Sequence, residues 1–216
     1  MKTLFSTLTL ALACTLSLAQ TKKAAPAKVN ESKQLSPVKE AAPKKAAAPD
    51  PAEMEKIWME YMTPGDEHGK LASMEGEWKE EITMWMAPGA EPTVNTATCN
   101  VTMILGGRYQ QSMHKGDFNG MAFEGIGITG YDKALKKYIS TWIDNMGTGV
   151  MFTSGKTDPK TNVTTYYGEM VDPMTGKMIK VREVYTIKGD NEHVMEMYNT
   201  PHGGAEFKSM EIRMSR

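Results

Sequence analysis

The sequence contains few residues of the kinds that carry recognisable chemistry or covalent cross-links. Only two of its 216 residues are cysteine and only four are histidine. It has no Gly-x-Ser-x-Gly, no His-Glu-x-x-His and no closely spaced cysteine pair, so the commonest hydrolase and zinc signatures are missing. These absences favour a non-enzyme, but they leave an enzyme open because folding can gather carboxylates from different strands.

The first nineteen residues have the pattern of a secretory signal peptide. A basic residue precedes an apolar stretch over 4–18, and the small-x-small pattern at 17–19 predicts cleavage after Ala19. The stretch is shorter than the roughly 20 apolar residues of a spanning helix, so we expect no transmembrane segment in the mature chain. The alternative is lipoprotein processing at Cys14, although residues 11–13 match the usual leucine-led box poorly. Both interpretations predict export to the periplasm or the extracellular space.

Residues 20–49 are predicted to be a disordered linker. They are mainly Ala, Pro and Lys, and they cannot bury enough apolar surface to offset the entropy lost on ordering. Seven lysines against two glutamates give this segment a net charge of +5, and with Lys2 also set aside residues 50–216 carry −7. The linker is either a plain spacer or a tether to anionic envelope surfaces. We expect no nucleic-acid partner.

Residues 50–216 are predicted to form a single domain. If Cys14 leaves with the signal peptide, Cys99 has no partner for an internal disulfide. The fold must therefore rest on its core, and a chain of this length can bury about two-thirds of its unfolded surface.

The domain is predicted to begin with one or two short helices. Residues 50–53, Asp-Pro-Ala-Glu, combine a capping acid, a proline at the first helical position and a glutamate three residues after the cap. Met54, Ile57, Trp58 and Tyr61 then fall on one helical stripe. A second helix is expected from about residue 63 to residue 74. Both helices are interpreted as lids or packing elements across one end of the following domain.

The remainder of the chain is predicted to be mainly β. Trp78, Ile82, Met84 and Met86 follow a period of two, as in a half-buried strand. Turn signals then recur along the chain, and the segments between them are long enough for nine or ten strands but leave no room for crossover helices. We expect an antiparallel up-and-down barrel, because closure removes the exposed edges of such a meander.

Several segments resemble the bacterial domain of unknown function 1579 family. They are Gly106–Tyr109, Phe123–Asp132, Tyr138–Met146, Asp172–Lys177 and Met210–Arg213. The resemblance covers roughly residues 64–216. It implies the domain boundary and a β-rich fold, and it implies no activity.

A weaker similarity connects the chain with lipocalin-like barrels. It rests on Gly76-Glu77-Trp78 at the start of the first strand and on Arg213 in the last strand. In such barrels the Trp closes the floor and an Arg from the last strand covers it. The similarity favours a barrel over a sandwich.

Residues 125–130, Gly-Ile-Gly-Ile-Thr-Gly, match the dinucleotide-binding fingerprint letter for letter. That motif functions only between a strand and a helix, and here a turn to another strand follows. We therefore interpret the glycines as structural, permitting bending or close approach in a curved sheet.

Two kinds of chemistry are weighed against structural roles. Four carboxylates are candidates for an acid and base pair, or are ordinary strand-end acids: Glu124, Asp144, Glu169 and Glu211. His193, Met195 and Met197 share one strand face and offer ligands that suit Cu(I), but methionine is also an adaptable core filler, which we favour. His68, His114 and His202 are scattered, and no pattern singles one out as a ligand. No metal is predicted, and the cofactor stays unknown.

The candidate ligand site is placed inside the barrel, where a few polar groups would orient a ligand against apolar walls. Trp142 and Asp144 share one strand face and are expected to point inward, with Arg108 as the charge partner. The remaining candidates are a second polar group and apolar wall residues: Glu124, Tyr109, Met84, Met86 and Met151. Asp144 and Arg108 could instead form a structural ion pair that closes the barrel.

Three functions therefore remain open from the sequence. The protein binds a small apolar or amphipathic molecule, or it is an enzyme that uses carboxylates in the same cavity, or it is a structural or interaction module of the cell envelope. Fold alone does not separate them. A large cavity would favour the first two, and a filled interior would favour the third.

Overall fold

Two helices precede ten strands in the computed structural model, which describes residues 50–216. The predicted signal peptide, Cys14 and the predicted linker lie outside the described residues. The helices are α1 (Pro51–Met62) and α2 (Asp66–Ala72). The strands are β1 (Gly76–Met84), β2 (Thr93–Ile104), β3 (Tyr109–Phe118), β4 (Met121–Asp132), β5 (Lys137–Asp144), β6 (Met151–Thr157), β7 (Val163–Asp172), β8 (Lys177–Gly189), β9 (Glu192–Thr200) and β10 (Phe207–Ser215).

The strands form a closed antiparallel barrel in which each pairs with its neighbours in sequence. The barrel closes between β1 and β10, in a register that runs from Lys79 opposite Ser215 to Met84 opposite Met210. Closure leaves no strand edge unpaired, which is the physical reason a meander of this length does not remain open. The prediction of an up-and-down barrel of nine or ten strands is confirmed.

Alternation along the strands separates the barrel interior from solvent. In β2, Asn95, Ala97, Cys99 and Val101 are buried while the residues between them are exposed. In β1, Trp78, Glu80 and Ile82 are buried in the same way. The inward set therefore includes polar groups as well as apolar ones, and this mixture gives the interior its chemistry.

The helix α2 closes one end of the barrel. Leu71 is buried there, and its carbonyl accepts a hydrogen bond of 2.8 Å from Nε2 of Gln110 in β3. The helix α1 differs from our expectation of a packing element, because none of its residues is buried and Trp58 is 60% exposed. Neither helix of residues 50–216 has the length and apolar character needed to cross a membrane.

Trp78 forms the floor of the barrel at the α2 end. It is 1% exposed, and its Nε1 donates to the Met74 carbonyl at 2.9 Å. The guanidinium that covers the ring belongs to Arg216, 4.3 Å from the ring centroid, and not to Arg213 as the lipocalin-like similarity implied. Arg213 points outward, since it is one residue out of phase with the buried Met214, and pairs with Glu211.

Candidate functional site

A cavity of about 1030 Å³ occupies the barrel interior. Its lining is mainly apolar and runs from Leu71 and Met74 at the α2 end to the loops at the opposite end, including residues 146–150 after β5. Several apolar lining residues near those loops are more than 40% exposed: Met86, Met146, Val150, Val171 and Met178. The opposite end thus presents an apolar entrance, while α2 and Trp78 close the floor.

Five of the eight predicted site residues line this cavity: Trp142, Asp144, Met84, Met86 and Met151. Trp142 Nε1 donates to Asp144 Oδ2 at 2.7 Å, and the Met146 backbone N–H donates to Asp144 Oδ1 at 2.9 Å. Both carboxylate oxygens therefore accept a hydrogen bond from the chain itself. The main effect of Asp144 is to fix the orientation of the indole and the turn after β5.

The glycines of β4 make room for that indole. A Cβ on Gly125 would lie 2.5 Å from the Trp142 ring, and one on Gly127 would lie 2.5 Å from Oγ of Ser112. Gly130 likewise accommodates Tyr109, whose ring would lie 2.7 Å from an added Cβ. The structural interpretation of the Gly-x-Gly-x-x-Gly segment is therefore confirmed.

Three predicted site residues lie elsewhere. Arg108 is exposed in the turn between β2 and β3, where its Nη1 donates to the Leu105 carbonyl at 3.0 Å, so the expected Asp144–Arg108 pair is corrected. Glu124 points outward and faces Lys115 across the β3–β4 pair at 3.5 Å, because its neighbours in β4 occupy the inward positions. Tyr109 packs against Gly130 near the α2 end and does not line the cavity.

The other two candidate acids divide between the cavity and the outer surface. Glu169 is exposed in β7, borders the cavity and lies opposite Lys180 of β8 in the strand register. Glu211 pairs with Lys208 and Arg213 on the outside of the barrel. The four acids considered from the sequence thus do not converge on one point.

Two interior carboxylates were missed by sequence reasoning. Glu183 in β8 lines the cavity and accepts a hydrogen bond of 3.1 Å from Oγ1 of Thr153. Burial raises the pKa of Glu183, and the hydrogen bond from Thr153 opposes that rise. The second is Glu80, whose side chain is 1% exposed. Glu80 stands in phase with Trp78 and Ile82, and that phase was the available signal.

Glu80 belongs to a cluster with His114 and Cys99 on three adjacent strands. Glu80 Oε2 lies 3.0 Å from His114 Nδ1, and His114 Nε2 lies 3.6 Å from Cys99 Sγ. Because a carboxylate only accepts, we assign the proton to Nδ1, which leaves Nε2 to accept from the thiol. Glu80 Oε1 is buried and has no hydrogen-bond partner among residues 50–216. Burial raises the pKa of Cys99, and the negative charge of Glu80 adds to the rise.

The histidine and the two methionines that were weighed as Cu(I) ligands lie in different surroundings. Met195 and Met197 line the cavity. His193 is buried at the floor, where its ring centroid lies 4.5 Å from that of Trp78 and its Nδ1 lies 2.6 Å from the Tyr185 hydroxyl. Burial lowers the pKa of His193. The imidazole thus packs within the core, as expected of a structural histidine.

These features define a class of protein: a closed, ten-stranded antiparallel barrel around a large, mainly apolar cavity that contains a few buried polar groups. Residues 63–216 match the family described as Protein of unknown function (DUF1579), and the chain belongs to that family. A comparison with curated proteins found no match.

Proposed function

We propose that this protein binds a small apolar or amphipathic molecule inside its barrel. The observation that carries the proposal is the cavity of about 1030 Å³, which is at the upper end of the range of roughly 300–1,000 Å³ typical of small-molecule pockets. A purely structural barrel of this kind would fill its interior with side chains. The apolar entrance gives such a molecule a path to the interior.

The charged residues of the cavity lining bear on the charge of the headgroup that the ligand carries. Glu80, Asp144, Glu169 and Glu183 line the cavity, whereas Lys70 is the only lysine or arginine among the described lining residues. A carboxylate headgroup would meet the carboxylates of Glu80 and Asp144 in a poorly solvated space, which is costly. We infer that a neutral or cationic headgroup is preferred over an anionic one.

The first experiment is a displacement assay with the full chain and Nile red, a neutral fluorescent probe, competed by oleylamine, oleyl alcohol and oleate. We expect the amine and the alcohol to displace the probe at concentrations at least tenfold below that of oleate. Equal competition by all three would overturn the headgroup inference and leave the cavity proposal standing. If Nile red does not bind at micromolar concentrations, the proposal that the barrel binds a small apolar molecule is wrong.

A matched pair of variants tests whether the probe occupies the cavity. Thr164 and Thr165 are adjacent in β7, and only Thr164 lines the cavity. Thr164→Trp is expected to weaken Nile red binding at least tenfold because the indole fills ligand space, whereas Thr165→Trp changes the outer surface and leaves binding unaltered. Equal effects of the two substitutions would place the probe outside the barrel.

We further propose that binding takes place after export, on the basis of residues 1–19 alone. The expected mature protein begins at Gln20. The intact mass of the protein recovered from its native envelope tests this prediction. A chain that begins at a lipid-modified Cys14 would support the lipoprotein alternative instead, and a chain that retains residues 1–19 would contradict export by cleavage.

A further inference from the structure

Glu80, Cys99 and His114 form a set of metal-ligating groups in the wall of the cavity. They come from β1, β2 and β3, with Cys99 opposite His114 in the β2–β3 register. One ligand atom from each residue lies within 4.8 Å of the other two. All three residues also belong to the cavity lining. From these groups we propose that the protein binds one Zn²⁺ ion through Cys99, His114 and Glu80.

The separation of Cys99 and His114 suits tetrahedral zinc. Zn–S bonds of about 2.3 Å and Zn–N bonds of about 2.0–2.1 Å place a bound sulfur and nitrogen about 3.5 Å apart at a tetrahedral angle. Cys99 Sγ and His114 Nε2 are 3.6 Å apart. These two donors are therefore at the separation they need before any ion enters, and thiolate with imidazole is a donor pair that Zn²⁺ favours. Glu80 Oε2 lies at the other ring nitrogen, Nδ1, so zinc binding requires the Glu80 carboxylate to leave Nδ1 and turn toward the ion.

The unpartnered carboxylate oxygen is a second, independent indication of a ligand. Within the part of the chain that the structure describes, Glu80 Oε1 is buried without a hydrogen-bond partner, although Oε2 lies at His114 Nδ1. Leaving a buried carboxylate oxygen unsatisfied is costly, so such an atom in a native structure calls for a missing partner. A cation beside Glu80 supplies that partner.

Charge balance favours a divalent ion. On binding, Zn²⁺ replaces the thiol proton of Cys99, which is released to solvent, and the resulting thiolate and the Glu80 carboxylate together neutralise the two positive charges. A neutral buried site costs less than the isolated carboxylate. Because only three protein ligands are present, the fourth coordination position faces the cavity, as in zinc sites that keep an open position for water or a ligand.

The test is a titration of the metal-free full chain with Co²⁺, the spectroscopic substitute for Zn²⁺. The experiment is made in the Cys14→Ser background, in which Cys99 is the sole thiol. We expect one Co²⁺ per chain, a near-ultraviolet thiolate-to-cobalt absorption band and its loss when one equivalent of Zn²⁺ is added. No cobalt binding at micromolar concentrations, or binding without the thiolate band, would overturn the proposal.

Variants assign the remaining ligands. His114→Gln and Glu80→Gln are each expected to lower the affinity for Co²⁺ at least tenfold, and Cys99→Ser to abolish the absorption band. His202→Ala, at a turn remote from the cluster, is the matched histidine control and should retain both. Circular dichroism checks that each variant is folded. If Glu80→Gln and His114→Gln are folded and bind Co²⁺ as tightly as the parent, the assignment is wrong.

The zinc proposal and the proposed ligand binding share Glu80, but the two experiments test them separately. The cobalt titration contains no organic ligand, and the Nile red assay can be made on metal-free protein. A positive result in either experiment is therefore compatible with failure of the other.

Discussion

Glu183 is the residue through which pH should act most directly on stability. Its pKa is raised by burial above the ordinary value of 4.5, so the folded state resists ionisation of a group that ionises freely in the unfolded chain. For a carboxyl with a raised folded pKa, the favourable contribution is complete below the unfolded value and is lost as pH rises through the folded value. Ionisation of Glu183 therefore destabilises the protein toward neutral pH.

Replacing this carboxyl by an amide isolates the effect. Glu183→Gln keeps an acceptor for Thr153 and removes the ionisation, so we expect a larger free energy of unfolding than that of the parent at pH 8. The gain should shrink as pH falls through the raised pKa of folded Glu183 and should be absent below about 4.5, the ordinary value. Urea denaturation of both proteins at several pH values measures it. A difference independent of pH would show that packing, and not ionisation, governs the substitution.

The sequence predicted correctly which side chains point into the barrel where strand alternation decides their direction. Trp142 and Asp144 were placed inward correctly because both share one phase of β5. Glu124 was wrongly predicted to line the cavity. The inward positions of β4 include Gly125 and Gly127, and because glycine has no side chain the sequence does not reveal which positions of this strand point inward. The same period-two rule applied to β1 would have placed Glu80 inside, beside Trp78 and Ile82.

At the scale of elements, Arg216, which follows β10, stabilises the floor of the barrel. Arg216 lies over the Trp78 ring, and its Nη1 donates to the Glu75 carbonyl at 2.8 Å in the link between α2 and β1. Its Nε donates to the Asp190 carbonyl at 3.1 Å in the turn between β8 and β9. The Arg216 side chain thus joins two connections around the buried indole.

Removing the Arg216 side chain should destabilise the floor of the barrel. We expect Arg216→Ala to lower the free energy of unfolding by about 1–2 kcal/mol, from one cation–π contact and the hydrogen bonds. Arg213→Ala is the matched control, since that side chain is exposed on the outside of β10, and its expected cost is below about 0.5 kcal/mol. Urea denaturation followed by tryptophan fluorescence measures both. Equal costs would contradict the role assigned to Arg216.

Element boundaries were predictable where turn chemistry is explicit. The helix start at residues 50–53 follows from the proline at the first helical position, although the Asp50 side chain makes no capping hydrogen bond, and the succession of strands follows from the turn residues. The exposure of α1 was not predictable. Its apolar stripe resembles that of a buried helix, and yet the stripe is exposed. A stripe shows that a helix has an apolar face, but only tertiary structure supplies a partner for it.

At the scale of the whole molecule, residues 50–216 belong to one compact unit whose barrel closes on itself. Every strand finds both neighbours within that range. We therefore expect a chain that begins at Asp50 to fold independently, with a free energy of unfolding within about 0.5 kcal/mol of that of the full chain. Parallel urea denaturation of the two chains checks it. A substantial loss of stability in the shorter chain would show that residues 1–49 contribute to the fold.

The sequence by itself determined the β meander, its two leading helices and the inward phase of several strands, because capping, turn chemistry and alternation are local properties of the chain. Only the tertiary structure decided the size of the cavity, since volume depends on how ten strands close around their side chains. The tertiary structure also decided that Glu80, Cys99 and His114 lie close together. These residues are separated by 19 and 15 positions in the chain, and cross-strand register alone brings them together.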